Sequence, residues 1–166
     1  MHRRHVLALG LCAIAAPSWA APTPYRLSGT AATITYTFTL EGTAVKGTVP
    51  IDRADLRIDP NNLEASTAEV TADVRRARTG LIFATEALKS RSVLAAEDFP
   101  LARFQSTKVT LGARGRISEG ATVEGMLTLR GVTRPVRFDA QLFRVPGSAA
   151  DDLSALRVIL NGSVNR

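Results

Sequence analysis

The segment Gly125 to Leu142, GMLTLRGVTRPVRFDAQL, constrains the chain most, because it alternates apolar and polar residues on both sides of a short break. Val123, Leu127 and Leu129 share one parity before the break, and Val136, Phe138, Ala140 and Leu142 share one after it. Between them stand Glu124, Thr128 and Arg130, then Arg137, Asp139 and Gln141. A period of two sends successive side chains to opposite faces, so each half predicts a strand with one dry and one wet face. The connection Gly131-Val132-Thr133-Arg134-Pro135 predicts the hairpin turn, since Gly131 tolerates positive φ and a later proline would stop a ladder. The segment alone therefore argues for an antiparallel β protein.

Similar alternation recurs along the chain. Ile34, Tyr36, Phe38 and Leu40 make a dry face against four threonines between Thr33 and Thr39, and Glu41-Gly42 turns the chain. Val45, Gly47, Val49 and Ile51 predict a second strand, with Asp55 to Ile58 as its extension before a polar turn at Asp59 to Asn62. Ala68, Val70, Ala72 and Val74 predict another over Thr67 to Val74. Between Thr79 and Leu94 the period of two is lost, and the spacing of Leu81, Ile82 and Leu88 predicts a short helix over Gly80 to Ser90 that packs over the sheet. Phe104 to Leu111, Thr122 to Arg130, Arg134 to Phe143 and Leu156 to Val164 supply the remaining strands. Glycine-bearing turns fall at Gly112 to Gly115, Ser118 to Gly120 and Val145 to Ser148. Many short strands with one helical insertion predict a barrel or a sandwich.

The N-terminus reads as a secretory leader: basic Met1 to His5, apolar Val6 to Ala16, then small residues at Ser18 and Ala20 that predict cleavage after Ala20. The apolar zone is shorter than the roughly 20 residues that span a bilayer. Removal leaves one domain, residues 21–166, bound for the periplasm or beyond, a size that can bury a real core. His2, His5 and Cys12 leave with the leader, so the remainder holds neither His nor Cys. Ser-His-Asp and Cys-His catalysis, disulfides and the usual zinc, haem and iron–sulfur ligation are excluded there. The whole chain has a formal charge of +6, and the domain stays basic without Arg3 and Arg4. A solvated basic surface accounts for this, and no aromatic stripe interleaved with Lys and Arg points to nucleic acid.

The motif G-x-L-T-L-x-G-V-T-x-P-V from Gly125 to Val136, preceded by Phe99-Pro100 and Phe104-Gln105-Ser106, resembles the YceI-like family of lipocalin-like polyisoprenoid-binding proteins. Asp59 to Ser66 resembles that family's turn between early strands, and Val164-Asn165-Arg166 the start of its last motif. The likeness runs from about Tyr25 to Arg166. It implies an all-β fold, a single antiparallel lipocalin-like β-barrel of about eight strands with a short helical insertion. It also implies a binding protein rather than an enzyme, for transport, storage or sequestration, with no covalent cofactor and a non-covalent isoprenoid or quinone lipid inside.

On that reading the tunnel walls are Tyr36, Phe38, Leu40, Leu81, Phe83, Leu88, Leu94, Phe99, Phe104, Leu127, Leu129 and Phe138. Alternation by itself equally describes a filled core. Arg130 and Arg134, with Arg137 and Arg144 near the same hairpin, are candidates for a phosphate or pyrophosphate head, against the plainer reading of a solubilising face. Arg75, Arg76 and Arg78 form a second basic run. The chain departs from the family where Ala84-Thr85 replaces an Arg-Asp pair, Val93-Leu94 an aromatic pair, and Ala31-Ala32 a His-Ser pair. These changes bear on the ligand more than on the fold.

Two rivals use the same sequence. One is an interaction or structural module whose barrel is closed by side chains. The other is a His- and Cys-free enzyme with a carboxylate in the cavity; Glu97-Asp98 and Asp151-Asp152 are adjacent pairs that point apart in extended chain and so select no acid/base couple. Expected partners are the lipid itself, a transient contact with a membrane or a membrane redox protein, and a second copy of the chain, since family members can pair.

Overall fold

The structure is a computed structural model, and it describes residues 22–26, 32–40, 42–112, 120–149 and 152–164, Leu40 by its backbone alone. The expected leader with His2, His5 and Cys12 lies outside them, as do Ala31, Asp151, Asn165, Arg166 and residues 113–119 of the expected turns.

The strands are β1 (Thr23–Arg26), β2 (Thr33–Leu40), β3 (Thr43–Ile58), β4 (Thr67–Asp73) and β5 (Arg78–Thr79), then β6 (Leu101–Leu111), β7 (Ala121–Leu129), β8 (Val132–Arg144) and β9 (Leu156–Asn161). Among the described residues one α-helix, α1 (Ile82–Lys89), interrupts them. All pairings are antiparallel, and the sheet runs in the order β1-β3-β4-β6-β7-β8-β9, with β2 and β5 also on β3. It curls into the half-barrel wall of a lipocalin-like fold.

Strand β3 shows how the curl is made. Its first half pairs with β2 and β5, its second half with β1 and β4, and the register against β4 shifts between Ile51 and Arg53. The extra residue of such a bulge bends the strand and moves its dry face from odd to even positions: Val45 and Val49 are buried before it, Ile58 after it. The extension of this strand through Asp55 to Ile58 that the sequence predicts is therefore present, as the far half of one bent strand. A second shift, between Ser106 and Lys108, does the same in β6, so that Phe104 and Val109 share a core despite opposite parity.

The β7–β8 hairpin is tighter than the five-residue connection the sequence predicts. Leu129 pairs with Val132, leaving Arg130 at φ 52° and Gly131 at φ 71° as a two-residue turn. Two successive left-handed residues match the right-handed twist of the flanking strands. Pro135 consequently sits inside β8, opposite Met126. Bonded and non-bonded pairs alternate along an antiparallel ladder, so the missing N–H of Pro135 faces the other edge of β8, which β9 reaches only from Asp139 onward.

Two clusters hold the fold. Phe104, Val109, Ala121, Val123 and Ala140 form one on β6–β8. Val49, Ala72, Ala77 and Leu88 form the other, where α1 seats on β3 and β4. The helix follows the predicted span closely and packs over the sheet through Ala84 and Leu88.

Candidate functional site

The inner face of the curl is built by strand parity. Register puts Phe104 opposite Leu127, Val123 opposite Phe138, Gly125 opposite Val136 and Ala140 opposite Leu160, so these side chains share one face across β6, β7, β8 and β9. Phe104 and Phe138 meet edge to face with centroids 5.3 Å apart. Leu127, Val136 and Phe138 are only half-buried, and Val158 and Leu160 at the β9 edge are 41% and 38% exposed. Along the described strands this face bears no carboxylate; its charged members are Arg134, level with Leu127, and Arg144, level with Leu156.

Aromatic rings lie along the sheet rather than across the curl. A Cβ placed on Gly125 would strike the Phe104 ring, one on Gly162 the Phe138 ring, and one on Gly47 the Tyr36 ring. Glycine in a strand interior costs stability unless something occupies the space above it, and here a ring does. Each of these glycines thus makes room for an aromatic ring. Sequence reasoning missed these glycine seats and the β9 contribution; the usable signal was a glycine at a dry position of an alternating strand.

The expected wall residues fall into four places. Phe104, Leu127 and Phe138 lie together in the β6–β8 cluster. Tyr36, Phe38, Leu88 and Leu94 join the cluster under α1, where Tyr36 and Phe38 stack at 6.0 Å. Burial pushes the Tyr36 phenol above its ordinary pKa, and its hydroxyl donates to the Arg78 carbonyl at 3.4 Å. Phe99 covers Gly131 at the hairpin turn next to Leu129. Leu81 and Phe83 stand at the exposed start of α1. The side chain of Leu40 lies outside the described residues.

The hairpin arginines divide. Arg130 donates to the carbonyls of Arg91 at 2.7 Å and Ser92 at 3.4 Å, clamping the loop after α1 to the hairpin. Arg134 points with the inner face, and among the described residues no carboxylate pairs with it. The positions that depart from the family pattern are apolar or internally bonded: Ala84 is fully buried, Thr85 bonds Thr79, and Val93 and Leu94 pack beneath α1. Two shallow grooves lie elsewhere, on the threonine face of β2, β3 and β5; one of about 240 Å³ is lined by Thr33, Thr48, Pro50, Arg76 and Arg78.

Comparison with known proteins agrees with this architecture. The sequence pattern of the YceI-like domain matches residues 25–166. A UPF0312 protein of Vibrio vulnificus is 31% identical over 143 residues, which span 84% of this chain and 74% of that protein. Another UPF0312 protein, from Yersinia enterocolitica, is 36% identical over 84 residues, 51% of this chain and 41% of the relative. Among solved structures, BcnA of Burkholderia cenocepacia superposes with a TM-score of 0.57 at 18% identity, over 68% of this chain and 67% of its own. The YCEI protein of Campylobacter jejuni gives 0.50 at 20% identity, over 70% of this chain and 64% of its own.

Proposed function

The chain belongs to the YceI-like family, a barrel fold of the binding-protein kind, and from that premise we propose that it is an exported carrier or sequestering protein that holds a long polyisoprenoid, of the quinone or polyprenol type, along the inner face of its sheet. The observation that carries this reading is the divided interior. The two buried clusters do not merge, and the half-exposed apolar side chains Leu127, Val136 and Phe138 continue the β6–β8 cluster toward Val158 and Leu160 at the β9 edge.

An isoprenoid tail suits that surface. Each buried CH₂ contributes about 0.8 kcal/mol, so a chain of several units gains affinity from contact alone and needs few polar partners. Discrimination then comes from length and bends more than from hydrogen bonds. Arg134, at the hairpin end of the inner face, is the group we assign to a polar head; the donors of Arg130 already serve two loop carbonyls. Among the described residues the inner strand face bears no carboxylate, which favours binding over acid–base chemistry.

Native mass spectrometry of the protein purified from its own compartment tests the reading. The expected spectrum shows a mature N-terminus at Ala21 and an added mass of one long-chain lipid, exchangeable for added quinone or polyprenol. A chain that is always empty and takes up neither sinks it.

A further inference from the structure

Helix α1 turns its first residues away from the sheet. Leu81, Ile82 and Phe83 are 45%, 85% and 64% exposed, although Ala84 and Leu88 of the same helix are buried. The outward turn is fixed in place. Thr79 Oγ1 donates to the Leu81 carbonyl at 2.6 Å, the Thr85 N–H donates to the same carbonyl at 3.0 Å, and the Thr85 hydroxyl donates to Thr79 Oγ1 at 2.9 Å. Three consecutive large apolar side chains are thus held in water by a hydrogen-bonded knuckle. Singly exposed apolar residues are ordinary; a contiguous, braced projection marks a contact surface.

The charge beside the knuckle identifies what it meets. A groove lined by Lys46 and Arg78, with Thr35, Thr48 and Thr79, runs from Gly80 into the second groove, where Arg76 joins Arg78. Among the described residues no carboxylate lines either groove. Arg75 is not available, being held by Asp73 at 3.0 Å, and Glu86 is the acidic residue of α1 itself. An apolar projection flanked by cations complements an interface whose outer layer is anionic and whose inner layer is hydrocarbon. We propose that this edge docks on an anionic lipid bilayer: Leu81, Ile82 and Phe83 enter the boundary between headgroups and acyl chains, and Lys46, Arg76 and Arg78 contact lipid phosphates. Docking goes beyond the carrier reading and does not require that the inner face be loaded.

The test is flotation of the protein, as the cell processes it, with vesicles of phosphatidylglycerol and phosphatidylethanolamine at 1:3, against vesicles of phosphatidylcholine alone. The wild type floats with the anionic vesicles and is released by salt. Ile82→Ser with Phe83→Ser weakens partitioning at least tenfold, and Arg76→Gln with Arg78→Gln weakens it roughly twentyfold and removes most of the salt dependence. All four changes are at exposed positions, and unchanged melting confirms that the variants fold. Failure of the wild type to float, equal binding by both variants, or a knuckle-dependent dimer without vesicle binding each overturns the proposal. Lipid loading, read by mass spectrometry on the same samples, separates this outcome from failure of the carrier reading.

Discussion

Four aromatic rings sit over four glycines, Tyr36 on Gly47, Phe104 on Gly125, Phe99 on Gly131 and Phe138 on Gly162, and at the residue scale these seats set the shape of the inner face. A methyl group at Gly125 meets both the Phe104 ring and the Gln105 carbonyl, so Gly125→Ala lowers stability by about 1–3 kcal/mol in urea unfolding. Gly80→Ala, with nothing near its Cβ, stays within about 0.5 kcal/mol of wild type. Arg130 adopts left-handed backbone while its guanidinium bonds two carbonyls. Arg130→Ala loses the bonds and keeps the strain, so Arg130→Gly is the more stable of the two by about 0.5–1 kcal/mol. Asp73 titrates with a definite sign. Side-chain hydrogen bonds from Arg75 hold its carboxyl below the usual range against a smaller desolvation. The folded chain therefore binds that proton less readily than the unfolded one, and the stability from the pair is complete above about pH 4 and fades as pH falls further. Asp73→Asn lowers stability by about 1–2 kcal/mol at pH 7, and the difference shrinks at pH 2.5. The partners in these seats and pairs were not legible in the sequence, because each joins a residue to a neighbour fixed only by register or by a local turn; the strand seats left only the trace of a glycine at a dry position.

Elements were far more legible than contacts. Every long strand that the alternation predicts is present, because period-two burial is written residue by residue in β2, β4, β7 and β8. What the sequence obscured were the two places where one residue is inserted, in β3 and β6; a bulge reverses parity, so a dry residue reads as wet. The short β1 and β5 carry too few residues to show a period. Helix α1 was legible by the loss of that period, but its outward knuckle was not, since helical spacing alone does not say which apolar residues are covered. Leu88 anchors the helix among Val49, Ala72 and Ala77, so Leu88→Ala costs about 2–4 kcal/mol and speeds amide exchange through Val93 and Leu94 ahead of the β6–β8 cluster.

Across the whole molecule, the sheet begins with β1 and ends with β9, and no ladder joins these two edges among the described residues. One bond spans the seam: the Tyr25 hydroxyl donates to the Leu153 carbonyl at 2.8 Å. Tyr25→Phe therefore changes global stability by no more than about 1 kcal/mol but raises amide exchange selectively in β9. The fold class was readable before the structure because one hairpin carries both the alternation and the family motif; the candidate site was readable only as a set of dry positions, since alternation does not distinguish a filled core from a binding surface. That distinction is the central claim, and it is tested most directly by a nuclear magnetic resonance titration of the isotope-labelled protein with a long-tailed quinone. The account predicts saturable shifts at Val123, Leu127, Phe138, Val158 and Leu160, on the inner face, with the threonine face of β2 unmoved. No shifts at saturating quinone, or shifts confined to the outer face, would contradict it.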